Sequence, residues 1–374
     1  MNTRERCMNI LHYKDVDRLP AVHFGYWKEV LAEWAEQGHI SKELAVSARG
    51  DGSAGQRELD KIIGWDCNWH NLVGASMGLS PAFEQKVLEV LPDGCQRVVT
   101  KKGVIERVKP GIVSIPSEDD YLLKDREAFE TLFKPKMQFF DSRINSEKIK
   151  AVFREKYEQD IPVGLSLGSV LGQIRDITTV MGMSYLLYDE DEELFADIVD
   201  TYAEMQYQCV EKVLELGLPF DFAHYWEDIC FKNGPLLSPS VFDELTAKHY
   251  KKRNDLCHKY GIDIISLDCD GVTEALIPTW IENGVNVLFP IEIGTWGDQF
   301  EPARKKYGEQ LLGVGGMDKT AFRKDKAAVD AELERMKRLA SMGGFIPCPD
   351  HRIMPGSKFE LVQYYAEEIK KIRI

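Results

Sequence analysis

The sequence predicts an α/β fold, a single (β/α)8 TIM-like barrel, and three observations lead there. Short apolar runs alternate with helical patterns, which implies parallel strands joined by right-handed crossovers. The 374 residues exceed the ~250 of a plain barrel, leaving room for an N-terminal helical extension over residues 1–20 and a β-rich insertion. No low-complexity run or Pro/Gly/Ser linker divides the chain, so residues 1–374 read as one domain. An open doubly wound sheet is the alternative, but no GxGxxG follows the first strand and no P-loop motif occurs.

The elements follow in order. Thr3–Tyr13 carries Cys7, Ile10 and Leu11 at helical spacing. After Pro20, the run Ala21–Trp27 reads as a strand and Leu31, Trp34 and Ala35 as a helix. Val98–Ile115 is β-like and forms the insertion. Ile161–Leu167 is a strand, followed by one long helical stretch to about Leu216 with Gly217 as its stop. Phe220–Trp226 is a strand before a helix from Pro239 to Tyr260. Ile262–Leu267 leads to a helix over Thr273–Asn283. Val285–Phe289, Leu311–Gly315 and Gly344–Pro347 are the last strands, before a C-terminal amphipathic helix with Leu361, Tyr364, Tyr365 and Ile369.

Composition narrows the function. Lys and Arg number 47 against 61 Asp and Glu, a net charge of -14, which disfavours a nucleic-acid partner. The charged start, Met1–Arg6, enters no apolar core of a signal peptide, and no run of ~18 apolar residues occurs. The expectation is a cytoplasmic, non-membrane protein, with a homodimer left open. Eight cysteines in that compartment are thiols rather than disulfides. Cys7, Cys67, Cys95, Cys209 and Cys257 fall in helical or peripheral segments and read as small buried hydrophobes; Cys230 is left open.

Reactive residues of such barrels cluster where strands end. Cys269 and Cys348 end two strands and are flanked by acids or imidazole. Two thiolates and one carboxylate or imidazole make the three-ligand pattern of a catalytic zinc with an open position. Glu227, ending a third strand, is the third ligand on this reading, with Asp268, Asp350 and His351 as alternatives. A nucleophilic Cys348–His351 pair competes, without an evident oxyanion turn. Asp228, Asp268 and His351 are the candidate catalytic or ligand-orienting groups. Aromatics are dense at the expected mouth (Phe24, Tyr26, Trp27, Trp65, Trp69, Tyr225, Trp226, Trp296). Together with His23 and Met317 they suit a flat organic substrate. Arginine is scarce there, which disfavours a polyanion.

Several motifs resemble the uroporphyrinogen decarboxylase superfamily over nearly the whole chain. They are Thr3-Arg4-Glu5-Arg6 with Asp17-Arg18-Leu19-Pro20, Gly164 to Gly172, Leu237-Ser238-Pro239 and Gly315-Gly316-Met317-Asp318. The resemblance implies a TIM-like barrel. It does not imply decarboxylation, because the family's arginine-bearing motif at the first strand end is here His23-Phe24-Gly25-Tyr26-Trp27. The better match is the branch of zinc- and corrinoid-dependent methyltransferases, which includes methylcobalamin:coenzyme M methyltransferases and ether-demethylating enzymes. That branch implies zinc on a His-x-Cys and a later Cys. Cys269 and Cys348 match the two thiols; Leu267 stands where the histidine would, and Glu227 is its natural substitute. Trp226-Glu227-Asp228, Leu276–Trp280 and Pro349-Asp350-His351 resemble the methyl-donor-specific relatives.

The expected function is therefore methyl transfer from an aromatic methyl ether to the cobalt(I) of a separate corrinoid protein, with zinc stabilising the departing phenolate. No corrinoid-binding Asp-x-His-x-x-Gly occurs, so cobalamin belongs to the partner. The alternatives are transfer from a methyl-corrinoid to a thiol such as coenzyme M, use of another small methyl donor, and a non-catalytic subunit that docks a corrinoid protein.

Overall fold

Each expected strand forms one to three residues later than its apolar run begins, because the leading residues are still turning out of the preceding helix. The computed structural model describes residues 1–110, 117–188, 191, 193–294, 297 and 300–374. Strands β1 (Val22–His23), β2 (Cys67–Asn68) and β3 (Leu72–Val73) come first. Next come β4 (Lys86–Val90), β5 (Gln96–Val99), β6 (Val104–Val108) and β7 (Ser117–Tyr121), an antiparallel sheet that begins before the expected Val98–Ile115 stretch, of which residues 111–115 lie outside the described residues. Then follow β8 (Gly164–Gly168), β9 (Phe222–Trp226), the small hairpin β10 (Cys230–Phe231) and β11 (Gly234–Pro235), β12 (Ile265–Asp268), β13 (Val287–Ile291), β14 (Leu312–Met317) and β15 (Phe345–Pro349).

The helices are α1 (Thr3–Leu11), α2 (Lys28–Glu36), α3 (Lys42–Ser47), α4 (Ala54–Ile63), α5 (Arg126–Ala128), α6 (Ser146–Tyr157) and α7 (Gly172–Leu187). They continue with α8 (Leu194–Leu214), α9 (Pro239–Lys259), α10 (Ile277–Glu282), α11 (Phe300–Tyr307), α12 (Lys326–Ala340) and α13 (Phe359–Ile369). The stretch read as one helix to Leu216 is thus two, α7 and α8, and α7 itself is broken at Thr179, where φ is 66°. The Thr273–Asn283 helix shortens to α10 behind a 3-10 turn.

Seven strands pair in parallel in the order β15-β14-β13-β12-β9-β8-β3. A separate parallel pair, β1-β2, stands apart from that sheet. No continuous hydrogen-bond ladder joins the two among the described residues. β15 and β1 are linked just beyond their ends by the bridge Tyr26↔Ile353, and β2 gives way to β3 across Trp69–Asn71. Gly315, at φ +135°, lets β14 approach β13 so closely that a Cβ would lie 2.3 Å from the Ile291 nitrogen.

Register decides which side chains look inward. Ser266 lies opposite His224 and Leu267 opposite Tyr225. Tyr225 donates its hydroxyl to Asn254 at 2.8 Å and packs on Tyr250, both on α9. The Tyr225/Leu267 face therefore looks out to the helices, and the His224/Ser266/Asp268 face looks into the barrel. Trp69, stacked on Phe222 and within 3.4 Å of the Ser266 hydroxyl, fills the interior below them.

The opening motif is a set of clamps. Arg4 reaches Asp221 and the Tyr157 carbonyl, Arg6 forks onto Asp17, and Arg18 forks onto Asp66 at 2.6 and 3.0 Å. Asp66 also accepts the Ala21 amide at 2.9 Å, which fixes the entry to β1. Burial raises the Asp66 pKa, but the bonds from Arg18 and Ala21 outweigh it and hold the carboxyl below its ordinary value. The stability it contributes is complete above the ordinary carboxylate range, near pH 4, and is lost as pH falls through the depressed value. Asp66→Asn is expected to cost about 2 kcal/mol at pH 7, with the gap to wild type narrowing on acidification. Urea unfolding across a pH series measures both.

Candidate functional site at the barrel mouth

Glu227 sits at the end of β9 with no exposed surface. Its carboxylate accepts the Ser169 hydroxyl at 3.0 Å, the amides of Val170, Leu171 and Gly172 at 2.6 to 2.9 Å, and the Tyr250 hydroxyl at 2.6 Å. Three of these donors are the loose amides at the start of α7, whose dipole favours an anion there. Five donors fill the carboxylate, so the structure corrects the zinc-ligand reading of Glu227: it is a buried helix cap.

Cys269 points outward, one residue past inward-facing Asp268. It lines a cavity of about 30 Å³ with Leu267, Ile277, Trp280 and Phe300, on the helix side of the sheet. Burial and the neighbouring Cys230 push its thiol up. Cys348 is fully buried, and burial likewise raises its thiol. Among the described residues, neither cysteine belongs to any cluster of three His, Cys, Asp or Glu donors close enough to share an ion. A thiolate zinc site on Glu227, Cys269 and Cys348 thus does not fit the donors as they are placed. Asp350, an alternative third ligand, accepts the amides of Ile293, Gly294 and Lys319 and faces the Lys319 ammonium at 3.3 Å; it is a loop staple.

The expected aromatic wall divides. Phe24 faces the interior, with its ring edgewise to His70, Phe289 and His351. Trp27 stacks on His351, with centroids 5.9 Å apart and planes at 16°. Trp226 lies beneath the Arg175 guanidinium at 5.4 Å. These three stay at the mouth. His23 and Tyr26 both turn to Asp60 on α4, at 3.1 and 2.8 Å, and Tyr225 turns to α9. Trp65 packs beside His23 and Tyr365, and Met317 is fully buried. Trp296 lies outside the described residues. The outward side chains are corrected from substrate contacts to packing. Arginine does reach the mouth, contrary to expectation, but Arg352 is forked onto Asp51 at 3.0 and 2.5 Å and Arg175 lies 3.9 Å from Asp228.

What gathers instead is a histidine–carboxylate cluster. His70 Nε2 lies 3.0 Å from Asp268 Oδ2, and its Nδ1 faces Asp51 at 3.9 Å. His224 Nε2 lies 4.0 Å from the same Asp268 oxygen. Carboxylate oxygens of Asp228, Asp268 and Asp270 lie within 4.8 Å of one another, and His351 Nε2 is 3.2 Å from Asp270. Burial lowers the His70 pKa, but Asp268 and Asp51 more than offset that and leave it raised. Burial, then the His70 charge, holds His224 well below its ordinary value, in the neutral form. Burial raises Asp268 despite His70. Asp228 is pushed to about 7 by burial and by the Asp270 and Asp268 charges. It also holds a left-handed φ of 51°, a strain found at functional positions. Asp228 and Asp268 share one carboxylate cluster with Asp270, which His351 also faces. His70, His224, Asp51 and Asp270 were not singled out. The available signal was parity: one histidine in an apolar strand, two residues from Phe222 and from Trp226.

Fold and mouth together define an α/β barrel whose strand ends carry histidines and carboxylates. No family model and no curated relative matches the sequence. Among solved structures the chain is similar to a methyltransferase from Methanosarcina mazei, at 14% identity, 99% coverage of each chain and a TM-score of 0.64. It is also similar to a B12-independent methionine synthase from Shewanella sp. W3-18-1, at 11% identity over 96% of this chain and 98% of that one, with a TM-score of 0.47. The first likeness establishes the fold, shared across nearly the full length of both chains. Among the described residues no helix is long and apolar enough to cross a membrane.

Two substitutions test the cap. Glu227→Gln turns an amide nitrogen toward backbone N–H donors and is expected to cost about 3 kcal/mol or more in urea unfolding. Gly172→Ala places a Cβ 1.9 Å from the Glu227 carbonyl oxygen. It is expected to destabilise by at least about 3 kcal/mol or to prevent folding, read by circular dichroism.

Proposed function

We propose that this chain is a methyltransferase that takes the methyl group of a small aromatic methyl ether and passes it to the cobalt(I) of a separate corrinoid protein. The observation that carries the reading is the whole-length fold likeness to a methyltransferase, joined to a mouth that pairs aromatic faces with clustered carboxylates. Cobalt(I), supplied by the partner, attacks the methyl carbon with its electron pair. The carbon–oxygen bond breaks, and the ether oxygen leaves with that bond's pair and takes up a proton. Phe24, Trp27 and Trp226 offer rings against which the arene stacks and from which water is excluded. Arg175 is committed to the Asp176 carboxylate at 3.1 Å and Arg352 to that of Asp51, which favours an uncharged arene over a polyanion.

Phenolate is a poor leaving group, and Asp228 supplies what this chain has to offer it. Its carboxyl stands beside Asp270 and Asp268 and donates the proton to the departing oxygen as general acid. Glu227, Cys269 and Cys348 are not assembled into one donor set.

Asp228→Asn is expected to slow demethylation of unsubstituted anisoles by about 10²- to 10³-fold. The loss should shrink for nitro-substituted anisoles, whose phenolates leave without a proton. Single-turnover assays with the partner corrinoid protein and a cobalt(I) reductant follow methyl-cobalt and phenol together. Equal loss for both ether classes would remove Asp228 from proton transfer. Absence of phenol, with methylation only of a thiol acceptor, would overturn the ether reading itself.

A further inference from the structure

We propose that His70, His224 and Asp268 form a binding centre for one divalent transition-metal ion inside the barrel mouth. Their donor atoms all lie within 4.8 Å of one another. His70 Nε2 is already 3.0 Å from Asp268 Oδ2, and His224 Nε2 is 4.0 Å from that oxygen. Metal–ligand bonds of ~2.0–2.2 Å in a tetrahedral site set the donors roughly 3.3 Å apart. The His70–Asp268 pair already stands close to that spacing, and the His224–Asp268 pair reaches it by closing less than about 1 Å. The two imidazoles meet edgewise, with centroids 5.1 Å apart at 76°.

A second observation is independent of that geometry. His224 is only 2% exposed, yet neither of its ring nitrogens finds a hydrogen-bond partner among the described residues. Leaving a buried polar atom unpaired is unfavourable, and ligation by one nitrogen removes that penalty. A third concerns orientation. The far nitrogen of His70 faces Asp51, which Arg352 and Asn68 hold in place at 2.5 to 3.0 Å. An outer carboxylate that fixes the ring of a ligating histidine is the usual support of such a site.

The donor set decides the class of ion. Two imidazoles and one carboxylate suit zinc, iron(II), cobalt(II) or nickel(II), whereas magnesium and calcium prefer all-oxygen sites. Three protein ligands leave a position open to the mouth, as in catalytic rather than structural centres. The site rests on the residues alone. It deepens the methyl-transfer reading by placing a Lewis acid beside Asp228, but binding of the ion does not depend on that reading.

The test uses chelator-stripped full-length protein titrated with Zn²⁺ alone by calorimetry, with elemental analysis after dialysis. One ion per chain is expected. His224→Asn and Asp268→Asn, checked for folding by near-ultraviolet circular dichroism, should each weaken binding by about 100-fold or more, since outer-sphere partners alone are worth 10- to 100-fold. The Cys269→Ser, Cys348→Ser double variant should keep its metal. Wild type loaded with Co²⁺ should show ligand-field bands without thiolate-to-cobalt charge-transfer absorption, a readout that survives any variant's failure to fold. No stoichiometric binding by wild type, retention of the ion by folded His224→Asn, or thiolate charge transfer would each overturn the site. Metal bound as described with no methyl transfer to cobalt would sink the proposed function and leave the site standing.

Discussion

The arrangement of the mouth depends on a buried carboxylate that pairs with no cation among the described residues. Glu227 gathers donors from the β8–α7 turn and from α9. A charge sealed from water is tolerated only when its oxygens are fully occupied, and here backbone amides at a helix start do most of that work. The same bonds tie β9, α7 and α9 at one point. Gly172 packs directly on the Glu227 backbone, with no room for a side chain. The next residue, Asp228, is forced into the left-handed region, where its carboxyl turns toward Asp270. Rigid support behind the strand end is what allows a strained, charged residue in front of it.

In front of that support, carboxyl groups crowd together where little water can screen them. Asp51, Asp228, Asp268 and Asp270 share one small volume with His70, His224 and His351, rimmed by Phe24, Trp27 and Phe289. The aromatic rim lowers the local dielectric, which sharpens every interaction inside it. Asp228 and Asp268 respond by holding protons more tightly, and His224 by giving its proton up.

Much of this was legible in the residues, and what failed did so for one reason. Hydrophobic runs placed the strands, and Ser238 and Pro239 do cap and open α9 as their types demand. The motifs that carry the family resemblance prove to be fold devices. Arg4, Arg6 and Arg18 are clamps, while Gly164, Gly172 and Gly315 stand where a Cβ would strike a neighbour. Chemistry was harder to see because a strand end names a neighbourhood, and alternation chooses the side chain. Asp268 and Cys269 are adjacent in sequence and lie on opposite faces of the sheet. His23 and Phe24 part in the same way. The division between them depends on pairing partners such as Leu267 with Tyr225, which no local pattern reveals. Glu227 was found for the right position and given the wrong task, since its five donors come from residues 169 to 172 and from residue 250.

The alternation in β12 has an evolutionary side. A single-residue bulge before Asp268, of the kind the neighbouring ladder already shows between Leu288 and Ile291, would rotate the strand end by half a pleat. Asp268 would then turn to the helices and Cys269 to the barrel axis, exchanging a hard oxygen donor for a soft sulfur one. If Asp268 holds a metal as proposed above, descendants of such a scaffold would change metal preference by insertion or deletion, without replacing a single ligand codon.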